Sequence, residues 1–311
     1  MMENPMKKVV ILLSTTLIIL LTFLVFNITS KKYAKELISP LLNREKVLGI
    51  NQWLPQQVLG SQISALQISA KAGLFIETKT GEILYSKNTH DKLPIASLVK
   101  VMTVLIALEH KSMDEKYVVS QKAADMEPDK MLLIAGEKLT SRELLDGIFL
   151  VSANDAAEVL AEGTLGNREE FIKLMNSKAL QLGMKDTFYV NPTGLDEDSN
   201  NSYSTTYDLA ILTRYLIRHY PQVVDISKSE HIFLPQTEEH QDYDMYTGIN
   251  LVSSYPGVVG FKTGYTPEAG LTLITLARKN GHEIIGVLLG SGDRRDEAKE
   301  LLDYSFKKLV G

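Results

Sequence analysis

The chain has 311 residues, 44% of them hydrophobic, with 33 Lys and Arg against 38 Asp and Glu for a net charge of -5, and it contains no cysteine. That length and apolar content suit one large domain or two modest ones. The lack of cysteine excludes disulfides, thiolate catalysis and cysteine metal sites, and no basic stripe interleaved with aromatics offers a footprint for nucleic acid.

The N-terminus carries Lys7 and Lys8, and residues 9–28 are apolar apart from Ser14, Thr15, Thr16, Thr22 and Asn27. The run is about the length needed to cross a bilayer. It is longer than the hydrophobic part of a cleavable signal and leads into Asn27-Ile28-Thr29-Ser30-Lys31-Lys32 instead of a small-residue cleavage site. A retained anchor over residues 1–28 is therefore favoured over a cleaved signal. Residues 29–70, mixed in composition and without a sustained period, are expected to form a stalk, and residues 71–311 one folded domain.

The string Lys79-Thr80-Gly81-Glu82-Ile83-Leu84-Tyr85 reads as the turn and second strand of a hairpin. A turn-like approach over residues 91–96 then leads to Ser97-Leu98-Val99-Lys100, and residues 101–110 are an apolar run of buried-helix length. The serine thus opens a helix, and residues three apart on a helix share a face, so the Lys100 amine reaches the Ser97 hydroxyl. A serine needs an adjacent base to become a nucleophile, and a lysine serves only if burial or a second cation lowers its pKa. Taken alone, the string also reads as a serine cap followed by a solvated lysine.

Thr140-Ser141-Arg142-Glu143 is a capping-box start, with apolar residues at helical spacing as far as Val151, and a further helix begins near Asp155. Ser152-Ala153-Asn154 falls in the turn between the two, where Asn154 or Asp155 would serve as an N-cap. Its functional reading has Ser152 relaying a proton to a leaving group and the Asn154 amide holding a backbone group of a substrate. Residues 167–182 and 205–219 both show helical apolar spacing.

Residues 258–261 lead a strand into Lys262-Thr263-Gly264, residues 269–277 supply the next strand, and Asn280-Gly281 is a two-residue hairpin turn into residues 283–289. Lys262 is the second cation that Lys100 requires. A basic residue beside the Thr263 hydroxyl suits an anionic substrate terminus, and an exposed strand edge binds an extended peptide through its main chain. Residues 293–309 form a last amphipathic helix, acidic early and basic late. Strands at both ends with helices between predict an α+β fold, an antiparallel sheet flanked by helices with an all-α lobe, preceded by a single transmembrane helix. The six histidines show no metal-ligand spacing, and neither a metal nor a cofactor is expected.

Three motifs in this order, on helix, inter-helix turn and strand, resemble the S-x-x-K, S-x-N and K-T-G set of the low-molecular-mass penicillin-binding proteins, the serine D-alanyl-D-alanine carboxypeptidases. The resemblance runs from about residue 72 to about residue 308 and includes Ser152-Ala153-Asn154-Asp155-Ala156-Ala157 and Lys262-Thr263-Gly264-Tyr265-Thr266-Pro267-Glu268-Ala269-Gly270. It implies a β-lactamase or transpeptidase-like fold and an enzyme that removes the terminal D-Ala from peptidoglycan stem peptides, with β-lactams as covalent inhibitors. By it Ser97 is the acylated nucleophile, Lys100 its base, Ser152 a proton relay, and Asn154, Lys262, Thr263, Gly264 and Tyr265 hold substrate. The backbone N–H groups of Ser97 and Tyr265 would form the oxyanion hole. A cell-wall substrate puts the catalytic domain outside a bacterial membrane, on a single-pass anchor.

Class A β-lactamases resemble the same set but carry a deacylating glutamate, and residues 187–195 contain none. Ala153 in place of the aspartate of S-D-N points the same way, so rapid β-lactam turnover is not expected. Many relatives continue into a β-rich second domain and an amphipathic membrane helix; here an N-terminal anchor is expected to replace that attachment. Two rivals remain: a D,D-endopeptidase on the same scaffold, and a catalytically idle wall-binding protein.

Overall fold

The computed structural model describes residue 55, residues 66–196 and residues 200–310. The expected anchor and nearly all of the expected stalk lie outside the described residues. Among the described residues no helix is long and apolar enough to cross a membrane. The last stalk residues, 66–70, lie on the folded body: Ile68 and Ala70 are buried, Lys87 Nζ donates to the Ile68 carbonyl at 2.8 Å, and Ser69 N donates to the Glu297 carboxylate.

In chain order the elements are β1 (Ala72–Glu77), β2 (Ile83–Lys87), β3 (Leu93–Pro94), a 3₁₀ turn (Ala96–Val99), α1 (Lys100–His110), β4 (Lys116–Val118), α2 (Gln121–Ala124), β5 (Lys138–Thr140), α3 (Ser141–Leu150), α4 (Asn154–Leu165) and α5 (Arg168–Gln181). The second half runs β6 (Tyr203–Ser204), α6 (Thr206–His219), α7 (Gln222–Ser227), β7 (His231–Leu234), β8 (Tyr243–Tyr246), α8 (Asn250–Ser254), β9 (Val258–Thr266), β10 (Gly270–Lys279), β11 (His282–Ser291) and α9 (Arg294–Val310). The main sheet has the order β2-β1-β11-β10-β9, all antiparallel, so the first strand of the fold pairs with the last. This is the terminal pairing expected from strands at both ends of the domain.

Both faces of the sheet are covered, which explains why its strands read as near-continuous apolar runs. On one face Phe75, Leu273, Ile284 and Leu288 meet Ala298, Leu301 and Phe306 of α9. The alternate residues, Leu74, Ile76, Ile274, Ile285 and Val287, point to the opposite face and are equally buried. Asn280 and Gly281 both take positive φ, 52° and 79°, the twist that a two-residue hairpin needs to match its strands. The predicted capping box closes at the start of α3: Thr140 Oγ1 accepts from Glu143 N while Glu143 accepts from Thr140 N.

Helix α1 is buried from Lys100 through Leu108, as a helix apolar on every side must be. It packs against α3, α4, α5 and α6, and so forms the axis of the helical lobe. The 3₁₀ turn that leads into it abuts β9, the edge strand of the sheet. The junction of lobe and sheet is where the three motifs meet.

Candidate active site

Ser97 lies in the 3₁₀ turn that runs directly into α1, so the expected helix start is a tighter turn at its first residues. The residue before it, Ala96, has φ 48°, a left-handed conformation that a residue with a Cβ takes only when its surroundings over-determine it. Those surroundings are the sheet. Thr272 Oγ1 donates to the Ile95 carbonyl at 3.3 Å, and a Cβ on Gly264 would come within 2.8 Å of Ser97 N and 2.7 Å of Thr272 Oγ1. Glycine in the K-T-G string therefore lets β9 press against the serine's own backbone.

Lys100 is 0% exposed, and its Nζ donates to Ser97 Oγ at 2.9 Å, Asn154 Oδ1 at 2.7 Å and the Thr193 carbonyl at 2.7 Å. Three donors meet three neutral oxygens, with no carboxylate among them. Burial, followed by the charge of Lys262, holds the Lys100 pKa well below the ordinary lysine value. Lys262, 1% exposed, donates to Ser152 Oγ at 2.8 Å and to the Thr263 carbonyl at 2.7 Å. Its pKa is lowered to about 7, chiefly by burial and then by Arg294.

Ser152 sits in the turn between α3 and α4 with φ 60°, which turns its hydroxyl toward Lys262. Asn154 is the first residue of α4 and is not its cap; Ala153 holds that position with no side-chain bond. The Asn154 Oδ1 holds Lys100, and its Nδ2 is committed to the Pro128 carbonyl. A substrate contact through that nitrogen requires the Pro128 bond to be exchanged. Asp155 braces the same loop by accepting from Met131 N and Leu133 N, both at 3.1 Å, and burial raises its pKa.

Thr263 and Tyr265 lie on β9, with Tyr265 exposed, and the free edge of that strand borders the site. The structure thus brings Ser97, Lys100 and Asn154 into one hydrogen-bonded set and Ser152 and Lys262 into a second, coupled to the first through the charge of Lys262, and places Thr263, Gly264 and Tyr265 along the rim.

Two contributors escape a motif reading. The loop Asn191-Pro192-Thr193-Gly194, noted in the sequence only for lacking a glutamate, supplies the Thr193 carbonyl. Asn191 Oδ1 accepts from Gly194 N at 2.7 Å and Thr193 N at 3.2 Å, Thr103 Oγ1 donates to the Pro192 carbonyl at 2.7 Å, and a Cβ on Gly194 would collide with the Ala96 carbonyl. The N-P and T-G turn dipeptides were the available signal. The second is Arg294, whose Nη1 donates to the Gly264 carbonyl at 2.6 Å and the Thr272 carbonyl at 3.2 Å. An arginine opening a helix opposes the dipole, and that misfit marked it in the sequence. Among the described residues no group of three or more His, Cys, Asp or Glu could hold a metal ion.

A serine and a depressed lysine on one helical turn, a second serine on a second depressed lysine, and a free strand edge beside them form the apparatus of a serine acyl-transfer enzyme. The chain belongs to the D-alanyl-D-alanine carboxypeptidase family of serine peptidases, whose sequence model matches residues 60–293. It is 36% identical over 257 residues to D-alanyl-D-alanine carboxypeptidase DacF of Bacillus subtilis, covering 80% of this chain and 65% of that one, so it spans less than two thirds of that relative's length. Among solved structures, penicillin-binding protein D2 of Listeria monocytogenes in its ampicillin-bound form is 31% identical with a TM-score of 0.66, over 78% of this chain and 99% of that one. The D-alanyl-D-alanine carboxypeptidase of Mycobacterium tuberculosis is 29% identical with a TM-score of 0.74, over 81% and 96%.

Proposed function

We propose that the chain is a serine D-alanyl-D-alanine carboxypeptidase that removes the terminal D-Ala from peptidoglycan stem peptides and is acylated by β-lactams. The observation that carries this reading is the position of Lys100 Nζ on three neutral oxygens, one of them Ser97 Oγ. A neutral amine keeps two N–H donors and gains a lone pair. With the Asn154 Oδ1 and Thr193 carbonyl taking the two donors, the lone pair is left for the Ser97 proton. Lys100 then acts as general base while Ser97 Oγ attacks the penultimate D-Ala carbonyl. The buried Lys262 favours the neutral form of Lys100 by charge repulsion and holds Ser152 Oγ, through which a proton passes to the departing D-alanine. The β9 edge binds the peptide main chain, Thr263 and Lys262 face the substrate carboxylate, and the backbone N–H groups of Ser97 and Tyr265 hold the oxyanion. Water then hydrolyses the ester.

The test combines D-alanine release from a pentapeptide ending in D-Ala-D-Ala with covalent labelling by a tagged penicillin. Lys100→Ala is expected to lower acylation by at least about a hundredfold, the lower range for losing a general base. A twofold loss would move that role elsewhere.

The reading extends to location. Residues 9–28 would anchor the chain in a bacterial membrane with the catalytic domain outside, a proposal that the composition of that segment supports. Carbonate-resistant membrane association together with protease sensitivity of the catalytic domain in intact spheroplasts is the expected result, and release by carbonate would refute it.

A further inference from the structure

The β7–β8 hairpin turns one face inward and leaves the other uncovered. Tyr243 and Met245 are buried, and the hairpin packs on α3, the helix that ends just before Ser152. Its outer face carries His231, Phe233, Asp244 and Tyr246, paired across the strands as His231 with Tyr246 and Phe233 with Asp244. Phe233 is 54% exposed and Tyr246 65% exposed. The His231 and Tyr246 rings stack at 4.3 Å between centroids and 19° between planes, and His231 Nε2 meets Asp244 Oδ1 at 2.5 Å.

The hairpin adjoins the site through the backbone. Two residues past Tyr246, Gly248 N donates to the Leu150 carbonyl at 2.9 Å, two residues ahead of Ser152. Gly248, Ile249 and Leu251 then line one small cavity with Thr263 and Arg294. Nothing in the acyl-transfer chemistry uses the four outer residues, and exposed rings contribute little to a core.

We propose that this face is a saccharide subsite, which seats pyranose rings of the glycan strand to which the stem peptide is joined. The inference rests on the peptidoglycan reading above and names the part of the substrate that the catalytic residues do not touch. Aromatic faces are electron-rich and attract the positive C–H faces of a pyranose. His231 covers one face of Tyr246, so a pyranose stacks on the Phe233 ring and on the other face of Tyr246, and the Asp244 carboxylate beside them matches its hydroxyls. The face carries no Lys or Arg, which disfavours a phosphate-rich polymer. It also exposes roughly 300 Å² of apolar surface, since an aromatic side chain offers at most 150–250 Å². That falls well short of the ~800 Å² per partner of a stable protein interface, and accommodates one or two sugar rings.

The experiment uses the full chain and two readouts. The first is retention on peptide-stripped glycan strands in a pelleting assay, which requires no catalysis. The second compares KM for D-alanine release from a pentapeptide carried on a disaccharide with that from the sugar-free pentapeptide. The double variant Phe233→Ala with Tyr246→Ala is expected to lose about tenfold in retention, the worth of roughly one good aromatic contact. It should raise KM on the sugar-linked peptide by a similar factor and leave the sugar-free peptide unchanged. Phe233→Tyr with Tyr246→Phe preserves both ring faces and should retain glycan as the unaltered chain does. Equal retention by the alanine variant, failure of the unaltered chain to pellet with glycan, or a parallel loss on the sugar-free peptide would overturn the subsite. If the unaltered chain releases no D-alanine from either peptide, the carboxypeptidase reading fails, and the pelleting assay still decides the platform.

Discussion

A buried lysine with no carboxylate hydrogen-bonded to it among the described residues opposes folding, and the size of that opposition is measurable. In the unfolded chain Lys262 titrates near the ordinary lysine value of ~10.4; in the folded chain its pKa falls to about 7. Between these values the unfolded state binds more protons than the folded one, so stability rises with pH through that window. Above the unfolded pKa the burial imposes no protonation penalty, and below the folded pKa the penalty is complete. Linkage makes it roughly 4 kcal/mol at pH 7 and roughly 2 kcal/mol at pH 9. Lys100 shifts in the same direction and adds to the slope.

Lys262→Met keeps the volume of the side chain and removes its charge. The variant should gain stability at pH 7, and its stability should rise by about 2 kcal/mol less than that of the unaltered chain between pH 7 and pH 9. Urea unfolding at three pH values measures both. Penicillin acylation should fall at the same time, and the residual reaction should need higher pH, because Lys100 loses the neighbouring cation that favours its neutral form. A residue kept for structure behaves in the opposite way, losing stability along with activity. An unchanged pH slope in the variant would mean that Lys262 is not buried in this manner, and would leave burial alone to lower the Lys100 pKa.

Ser97→Ala should abolish covalent penicillin labelling with an unchanged far-ultraviolet circular dichroism spectrum, since Ser97 lies inside the 3₁₀ turn and its hydroxyl caps neither that turn nor the helix after it; persistent labelling would exclude Ser97 as nucleophile. Gly264→Ala should cost about 1–3 kcal/mol from overpacking against Ser97 N and Thr272 Oγ1. Because the obstruction is the serine's own backbone, kcat should fall by about a hundredfold, the loss that a ~1 Å misplacement causes, and a near-normal kcat would show that the strand yields without disturbing the serine. The penicilloyl adduct should persist for minutes or longer in time-resolved intact-mass measurements while peptide turns over, because the loop over residues 187–195 offers Lys100 a carbonyl and no carboxylate base. Loss of the adduct within seconds would show that another group activates water.

Much of the fold is legible because its elements satisfy local and global demands together. The β10–β11 hairpin has an Asn-Gly turn between long apolar runs, and α3, α5 and α6 start at Thr140, Asn167 and Thr205, each accepting a backbone N–H from the first turn. The β4–β5 and β7–β8 pairs escaped the reading because they are three and four residues long and half their residues face solvent, too short for alternation to register. Their positions are set by neighbours: Glu137 accepts from Gln241 N at 2.8 Å and from Tyr243 Oη, tying the loop before β5 to the strand β8.

The site divides along a different line. Ser97 and Lys100 are readable together because their spacing alone puts them on one helical face, and Lys262 is readable as a cation. The Thr193 carbonyl is not, since every residue has a carbonyl and no side chain announces which one will be aimed at an amine 93 positions away. What the sequence does record is the cost of aiming it. Asn191 folds its side-chain oxygen onto two following N–H groups, and Gly194 takes φ +83° where any Cβ would strike the Ala96 carbonyl. Ala96 is in turn the strained residue that presents Ser97. The loop that orients the base and the turn that carries the nucleophile are therefore in direct backbone contact, so a side chain introduced at Gly194 would displace both partners of the Lys100–Ser97 hydrogen bond at once.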